Sequence, residues 1–221
     1  MLIPAVDRAS REESLEFLRT HEFGQLVAGG RDREVPVVVP TQFVVVDDET
    51  VFLHLAQKNP IWSAVEESAT VMLSVTSAYS YIPGYWRAIG DEDPDMGIPT
   101  IYFAAVQARC RAELLSRPEA KLEVLRSQLQ QKEPDRKTDP SAHGHLLPGI
   151  RGARLTILEL NGKFKFGGNM DIPHRRAVAD RLAERAKPAD LEGHGYAMRN
   201  IERDENAQAA VSRSGQAGGM F

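Results

Sequence analysis

The chain has 221 residues, 42% hydrophobic and 26% charged, with a formal net charge of −4. Those proportions exclude a fully disordered chain, and the acidic balance excludes the bulk basic footprint of a nucleic-acid binder. One cysteine, Cys110, excludes an internal disulfide and a cysteine-rich zinc site. No apolar run approaches the roughly 18–20 residues that span a bilayer. MLIPAVDRASREE lacks the basic and apolar regions of a secretory signal, so a cytoplasmic location is expected.

In chain order, Ser10-Arg11-Glu12-Glu13 is a capping box, and Leu15, Phe17 and Leu18 supply an apolar face. A short helix is therefore expected over 11–21. Residues 23–28 read as a strand and Gly29-Gly30-Arg31-Asp32 as a turn. Residues 35–46 are rich in β-branched side chains, and Pro36 and Pro40 mark an edge or bent strand. Another strand spans 51–55, after a turn at 47–50. Asn59-Pro60 starts a helix to about Ser68, and TVMLSVT over 70–76 is a buried strand. Residues 77–98 read as a loop holding Tyr79, Tyr81, Tyr85 and Trp86. A long strand follows over 99–115, then a helix from 116 to about 131, then an exposed connection to Gly149. Over 155–166, two strands flank Asn161-Gly162, a type I′ turn signal. Phe164 and Phe166 alternate with Lys163 and Lys165, giving one core face and one wet face. Residues 173–185 are helical, and 206–221 read as a flexible tail. The elements favour a mainly β fold with peripheral helices: an antiparallel barrel with helices packed outside.

Several residues could carry chemistry. His54 lies mid-strand, with Gln57, Lys58 and Asn59 at the strand's end. This group could grip a phosphate or carboxylate, or His54 could ligate a metal; the alternative is a half-buried strand histidine bonded to backbone. The run Ser77 to Trp86 offers flat walls and hydroxyls for an aromatic cofactor, or buries its rings against the barrel. His143 and His145 lack a nearby third ligand and read as a solvated loop. His174, Arg175, Arg176, Arg181 and Arg185 could attract an anion at a helix start, or form a solvated face. Cys110 reads as a small apolar filler. No nucleophile elbow, GxGxxG or P-loop occurs.

Six phrases, in order, carry a family resemblance: MLIP, HEFGQLV at 21–27, HLAQKNPIW at 54–62, SAYSYIPGYW at 77–86, IPTIYFAAV at 98–106 and NGKFKFGGN at 161–169. The most specific is H-x-A-x-x-N-P-x-W, from His54 to Trp62; Pro99 to Tyr102 supplies PT-x-Y. The chain resembles the PaiB family, FMN-binding negative transcriptional regulators related to the pyridoxamine-phosphate-oxidase-like split barrels. The resemblance covers about residues 1–185 and leaves 186–221 as a C-terminal extension. It implies a six-stranded antiparallel Greek-key split barrel and a homodimer with the flavin at the subunit interface. Position by position, it implies His54, Lys58 and Asn59 at the cofactor's phosphate end. Tyr79, Ser80, Tyr81 and Trp86 would wall the ring, and Lys165 and Asn169 match the polar positions of K-x-S-Q-N. Gly167-Gly168 replace Ser-Gln, and Met170 replaces Arg; the glycines would open space or let backbone approach a bulkier ligand.

Three functions follow from this resemblance. The first is an FMN-binding flavoprotein, an oxidoreductase acting on a small molecule. The second resembles the piperazate synthases, which use haem b to close a nitrogen–nitrogen bond in N-hydroxyornithine, with His54 as the axial ligand. The third is a non-enzymatic transcriptional regulator, for which direct DNA binding is not expected. No membrane partner is expected.

Overall fold

The computed structural model describes residues 1–217, with side-chain surroundings up to Val211. Eight strands form: β1 Arg8–Ala9, β2 Phe23–Ala28, β3 Val37–Gln42, β4 Val44–Val45, β5 Thr50–Ala56, β6 Thr70–Ile82, β7 Thr100–Leu115 and β8 Ile150–Lys165. The helices are α1 Arg11–Thr20, α2 Ile61–Glu67, α3 Pro118–Lys132, α4 Ile172–Arg185 and α5 Pro188–Ala217. The sheet order is β3-β2-β6-β7-β8-β5-β4, with β1 also paired to β8. The β2–β3, β2–β6, β4–β5 and β5–β8 ladders are antiparallel. The fold is thus mainly an antiparallel sheet with flanking helices. The sheet has eight strands, seven of them along a pairing path that is not closed and β1 off it.

The chain divides into two compact units built from interleaved segments. One comprises 9–75 and 105–162. Here the capping box forms as expected: Ser10 accepts from the Glu13 amide at 3.1 Å, and Glu13 accepts from the Ser10 amide at 2.7 Å. Leu15, Phe17 and Leu18 are buried, so α1 exists because it is both capped and amphipathic. Val124 of α3 packs with Val44, Phe52 and Leu115. β3 and β4, the two ends of the pairing order, are separated by the single buried residue Phe43. Pro36 precedes β3, and Pro40 lies within it opposite Gln25 of β2; β3 ends the pairing order, so the edge strand expected there is the one that carries the proline.

The other unit comprises 1–8, 76–104 and 163–221. Part of the segment expected to be a loop, 77–82, is the end of β6. Val71, Leu73 and Val75 are buried along this strand, and then Ala78, Ser80 and Ile82, so the alternation changes phase. Ala78 has φ 55°, and an added residue of this kind is how a β-bulge shifts side chains to the opposite face. Glu192 of α5 secures it, accepting from the Ala78 amide at 3.1 Å and the Ser77 hydroxyl at 2.8 Å. A single-strand pattern cannot anticipate a bulge held by a residue more than 100 positions away.

The turn expected at Asn161-Gly162 does not form; β8 runs through it. A type I′ turn needs positive φ at both central residues, and neither has it. Gly162 is glycine for another reason. A Cβ there would collide with the Ser14 hydroxyl and stand 2.8 Å from the Ala9 Cβ, so its lack of a side chain admits the start of α1.

The chain beyond Lys187, expected to be an extension, forms α5, which packs along α4. Tyr196 stacks on Phe166, with ring centroids 5.1 Å apart, and meets Phe164 edge-on at 5.0 Å. Arg175 of α4 is 3% exposed and donates to Asp204 at 2.6 Å. The small and polar composition hid a helix whose apolar positions, Tyr196, Ala197 and Ile201, are few but correctly spaced. Of the expected tail, residues 218–221 lie outside the described residues.

Candidate functional site

Near the end of β8, in the unit containing 163–221, a cavity of about 320 Å³ is lined by Pro4, Val6, Asp7, Arg87, Thr100, Tyr102, Lys165, Gly167, Asn169 and Met170. β7 carries Thr100 and Tyr102, two residues apart and therefore on one face of the strand. Lys165 is the last residue of β8, and its ammonium donates to the Thr100 hydroxyl at 3.0 Å. Arg87 donates through Nε to the Met170 sulfur at 3.0 Å and through Nη1 to the Ile98 carbonyl at 3.1 Å.

Tyr102 is 1% exposed, and its hydroxyl has no hydrogen-bond partner among the described residues. Burial pushes its pKa up to about 12, against the opposing pull of Arg87 and Arg175, so it is a neutral donor at physiological pH. Asp7 is buried, and desolvation raises its carboxyl above the usual range against the attraction of Lys163 and Lys165. Gly167 has φ +77°, and a Cβ there would overlap the Tyr102 hydroxyl oxygen. A Cβ at Gly168 would stand 2.7 Å from the Val6 carbonyl. The two glycines therefore admit the protein's own tyrosine and N-terminal backbone, a tighter use than the open space expected of them.

A second cavity, about 590 Å³, shares Arg87, Asn169 and Met170 with the first and is also lined by Glu92, Asp93, Asp171 and His174. Asp171 caps α4, accepting from the His174 amide at 3.0 Å. The His174 ring bridges Asp171 at 2.6 Å and Glu92 at 2.9 Å. Asp171 first, and Glu92 second, raise its proton affinity, so the imidazolium ties the 88–98 loop to the start of α4.

Of the residues expected at a cofactor, Lys165 and Asn169 line the first cavity, whereas Tyr79, Ser80, Tyr81 and Trp86 do not. Tyr79 and Tyr81 are 61% and 51% exposed, on the outward phase set by the Ala78 bulge. Ser80 is buried and donates to Asp190 at 2.8 Å; Arg185 grips the same carboxylate through two 2.7 Å bonds. Arg185 also lies 4.4 Å above the Trp86 ring. Ser80 and Trp86 thus belong to the packing that anchors α4 and α5. The expected basic cluster is absorbed in the same way: Arg176 pairs with Glu205 and Arg181 with backbone carbonyls.

His54, Lys58 and Asn59 fall in the other unit. The Asn59 side chain accepts from the Ile61 amide at 3.1 Å, serving the start of α2, and Lys58 is exposed. His54 is half-buried on β5, with Nδ1 2.6 Å from the Gln128 Oε1 of α3. Since that oxygen only accepts, Nδ1 is the donor in this contact. His143 and His145 are exposed. No group of three metal-ligating side chains occurs among the described residues.

Tyr102, Asp7 and Arg87 were not nominated from the sequence, although Tyr102 ends the PT-x-Y phrase. The signal was there, but a tyrosine between two apolar strand positions reads as core until its hydroxyl is seen to lack a partner.

A family model described as "Putative FMN-binding domain" matches residues 1–159. Solved structures similar to the chain include the FAD and heme binding protein from Mycobacterium smegmatis, at TM-score 0.56 and 18% identity over 77% of this chain and 79% of that one. The flavocytochrome Anf3 from Azotobacter vinelandii is similar at TM-score 0.52 and 20% identity, over 75% and 72%. A conserved hypothetical protein, Rv2991, from Mycobacterium tuberculosis is similar at 0.54 and 16%, over 74% and 90%. These likenesses carry the fold alone. No curated protein matches the sequence. Among the described residues, no helix is long and apolar enough to cross a membrane.

Proposed function

The chain belongs to the family of FMN-binding domains, matched over residues 1–159, and from that premise we propose that it is a PaiB-like flavoprotein of the split-barrel class, an oxidoreductase acting on a small molecule. The observation that carries the placement of the site is the buried Tyr102 hydroxyl without a partner, in a cavity that also holds Lys165, Arg87 and Asn169. A flavin mononucleotide presents a phosphate, ribityl hydroxyls and carbonyl oxygens, all of which need donors. The donor set fits such a ligand, and so do the sizes of the two cavities. Bound flavin supplies hydride or single-electron transfer.

The chain's own residues then have defined tasks. Lys165, fixed by Thr100, offers its remaining N–H bonds and its charge to an oxyanion. Arg87 is held at the junction of the two cavities by Met170 and Ile98. Tyr102 stays protonated and donates. Asp7, which lines the same cavity and whose pKa burial raises, is the carboxyl that would exchange a proton with a bound ligand.

The exposed Tyr79, Tyr81 and Tyr85 support a homodimer, since rings on an outward strand face and the turn after it gain by being covered. A second reading, a haem b enzyme resembling piperazate synthase, is favoured by one observation: the Gln128 contact occupies the His54 Nδ1, leaving Nε2 as the atom that would hold the haem iron.

Absorption spectroscopy of purified protein titrated with FMN, and separately with haemin, tests both. The flavin reading expects saturable FMN binding with no Soret shift dependent on His54. A Soret shift abolished by His54→Ala, without FMN binding, would replace it with the haem reading.

A further inference from the structure

We infer that Tyr102 and Lys165 form an oxyanion-binding subsite, with the phenol as the neutral donor and the ammonium as the charge. The inference rests on the flavin reading for its place in the molecule, but on the geometry of this cavity for its chemistry. A buried hydroxyl without a partner forgoes a hydrogen bond, and such groups in folded proteins are normally satisfied. Thr100, two residues away on the same strand, accepts from Lys165, and the Tyr102 hydroxyl has no partner among the described residues. The backbone has been shaped to admit the phenol oxygen, because Gly167 takes a left-handed conformation just where a side chain would overlap it. A position that needs glycine so that another residue's hydroxyl can stand unpaired beside a cavity is a position built for a ligand.

The charge around the subsite selects the ligand's sign. Lys165 and Arg87 are cations, and Asp7 is the one acid in the lining. Lys165 spends one of its three N–H bonds on Thr100 and keeps two. The phenol adds a neutral donor. Donors of this kind favour an acceptor-only group, a phosphate or a carboxylate. Two sources present that chemistry: the phosphate of the flavin itself and a carboxylate of a small-molecule substrate.

The test uses the flavin-free full chain, titrated with inorganic phosphate (followed by phosphorus NMR) and with acetate (followed by proton NMR). Wild type is compared with Tyr102→Phe and Lys165→Met, and the FMN and riboflavin affinities of each are measured by flavin fluorescence. Tyr102→Phe should weaken the bound anion about tenfold, the loss expected for one hydrogen bond to a charged group. Its melting temperature without ligand should be unchanged or raised, because the hydroxyl makes no bond in the folded chain. If FMN weakens and riboflavin does not, the oxyanion is the cofactor's phosphate. If acetate weakens while FMN holds, it is a substrate carboxylate. Either result supports the subsite. Anion affinities equal in wild type and Tyr102→Phe, or no anion binding to wild type, overturn it even where FMN binds. An anion effect without any flavin binding leaves the subsite standing and removes the flavin reading.

Discussion

Replacing Gly167 with alanine probes the geometry beneath the site. Two costs add. The residue sits at φ +77°, and a left-handed conformation costs an L-residue about 1–2 kcal/mol. The new methyl would also overlap the Tyr102 hydroxyl and crowd the Met170 Cε at 3.1 Å and the Tyr102 Cζ at 3.2 Å. Overpacking of this kind costs about 1–3 kcal/mol, so the total is about 2–5 kcal/mol, a large share of the roughly 5–15 kcal/mol that holds a domain folded. For a chain of this size, a loss near the middle of that range lowers the melting temperature by roughly 10 °C. The double variant Gly167→Ala with Tyr102→Phe separates the two costs. Removing the phenol oxygen relieves the overlap but not the backbone strain, so it should restore about 1–2 kcal/mol. Urea denaturation followed by tryptophan fluorescence reads both, since Trp86 shares the unit of Gly167 and Trp62 lies in the other. If the two substitutions add to within about 0.5 kcal/mol, the hydroxyl does not stand against Gly167 and the cavity geometry is wrong.

Three further outcomes are expected. Ala186 closes α4 with φ 51° and is exposed, so Ala186→Gly should stabilise by about 1 kcal/mol in thermal denaturation; a loss would contradict the left-handed cap. The His174 bridge makes stability depend on pH in two directions. The raised imidazole contributes fully below its ordinary value of 6.5 and loses that contribution as pH rises through its folded value. The lowered carboxyls of Asp171 and Glu92 contribute above their ordinary values of 3.8 and 4.5 and lose that as pH falls. His174→Gln should therefore flatten the alkaline side of the melting-temperature profile, and an unchanged slope there would count against the bridge. Cys110 is buried and its thiol is pushed up to about 12 by burial, so it should resist a thiol reagent until the chain unfolds, and prompt labelling would contradict that.

What the sequence disclosed followed the reach of each interaction. The α1 cap involves residues three apart, and the wet and dry faces of 163–166 alternate within four residues, so both were legible. Asn161-Gly162 misled because its turn preference is local, while the demand met by Gly162 is the close approach of Ala9 and Ser14. The phase change at Ala78 depends on Glu192, and the burial of Ser80 on Asp190; neither link leaves a mark within a strand-length window. Lys165 and Asn169 were legible through the resemblance and do line one cavity. Tyr102 stands in the PT-x-Y phrase, but a partnerless hydroxyl is a property of the folded surroundings and not of the residue.

Equilibrium titration of the purified chain with FMN, in wild type and Lys165→Met, bears most directly on the site. Saturable binding of one flavin per chain, weakened about tenfold or more by loss of the Lys165 charge, is the expected result. FMN that fails to saturate the wild-type protein, or that binds Lys165→Met as tightly, would contradict it.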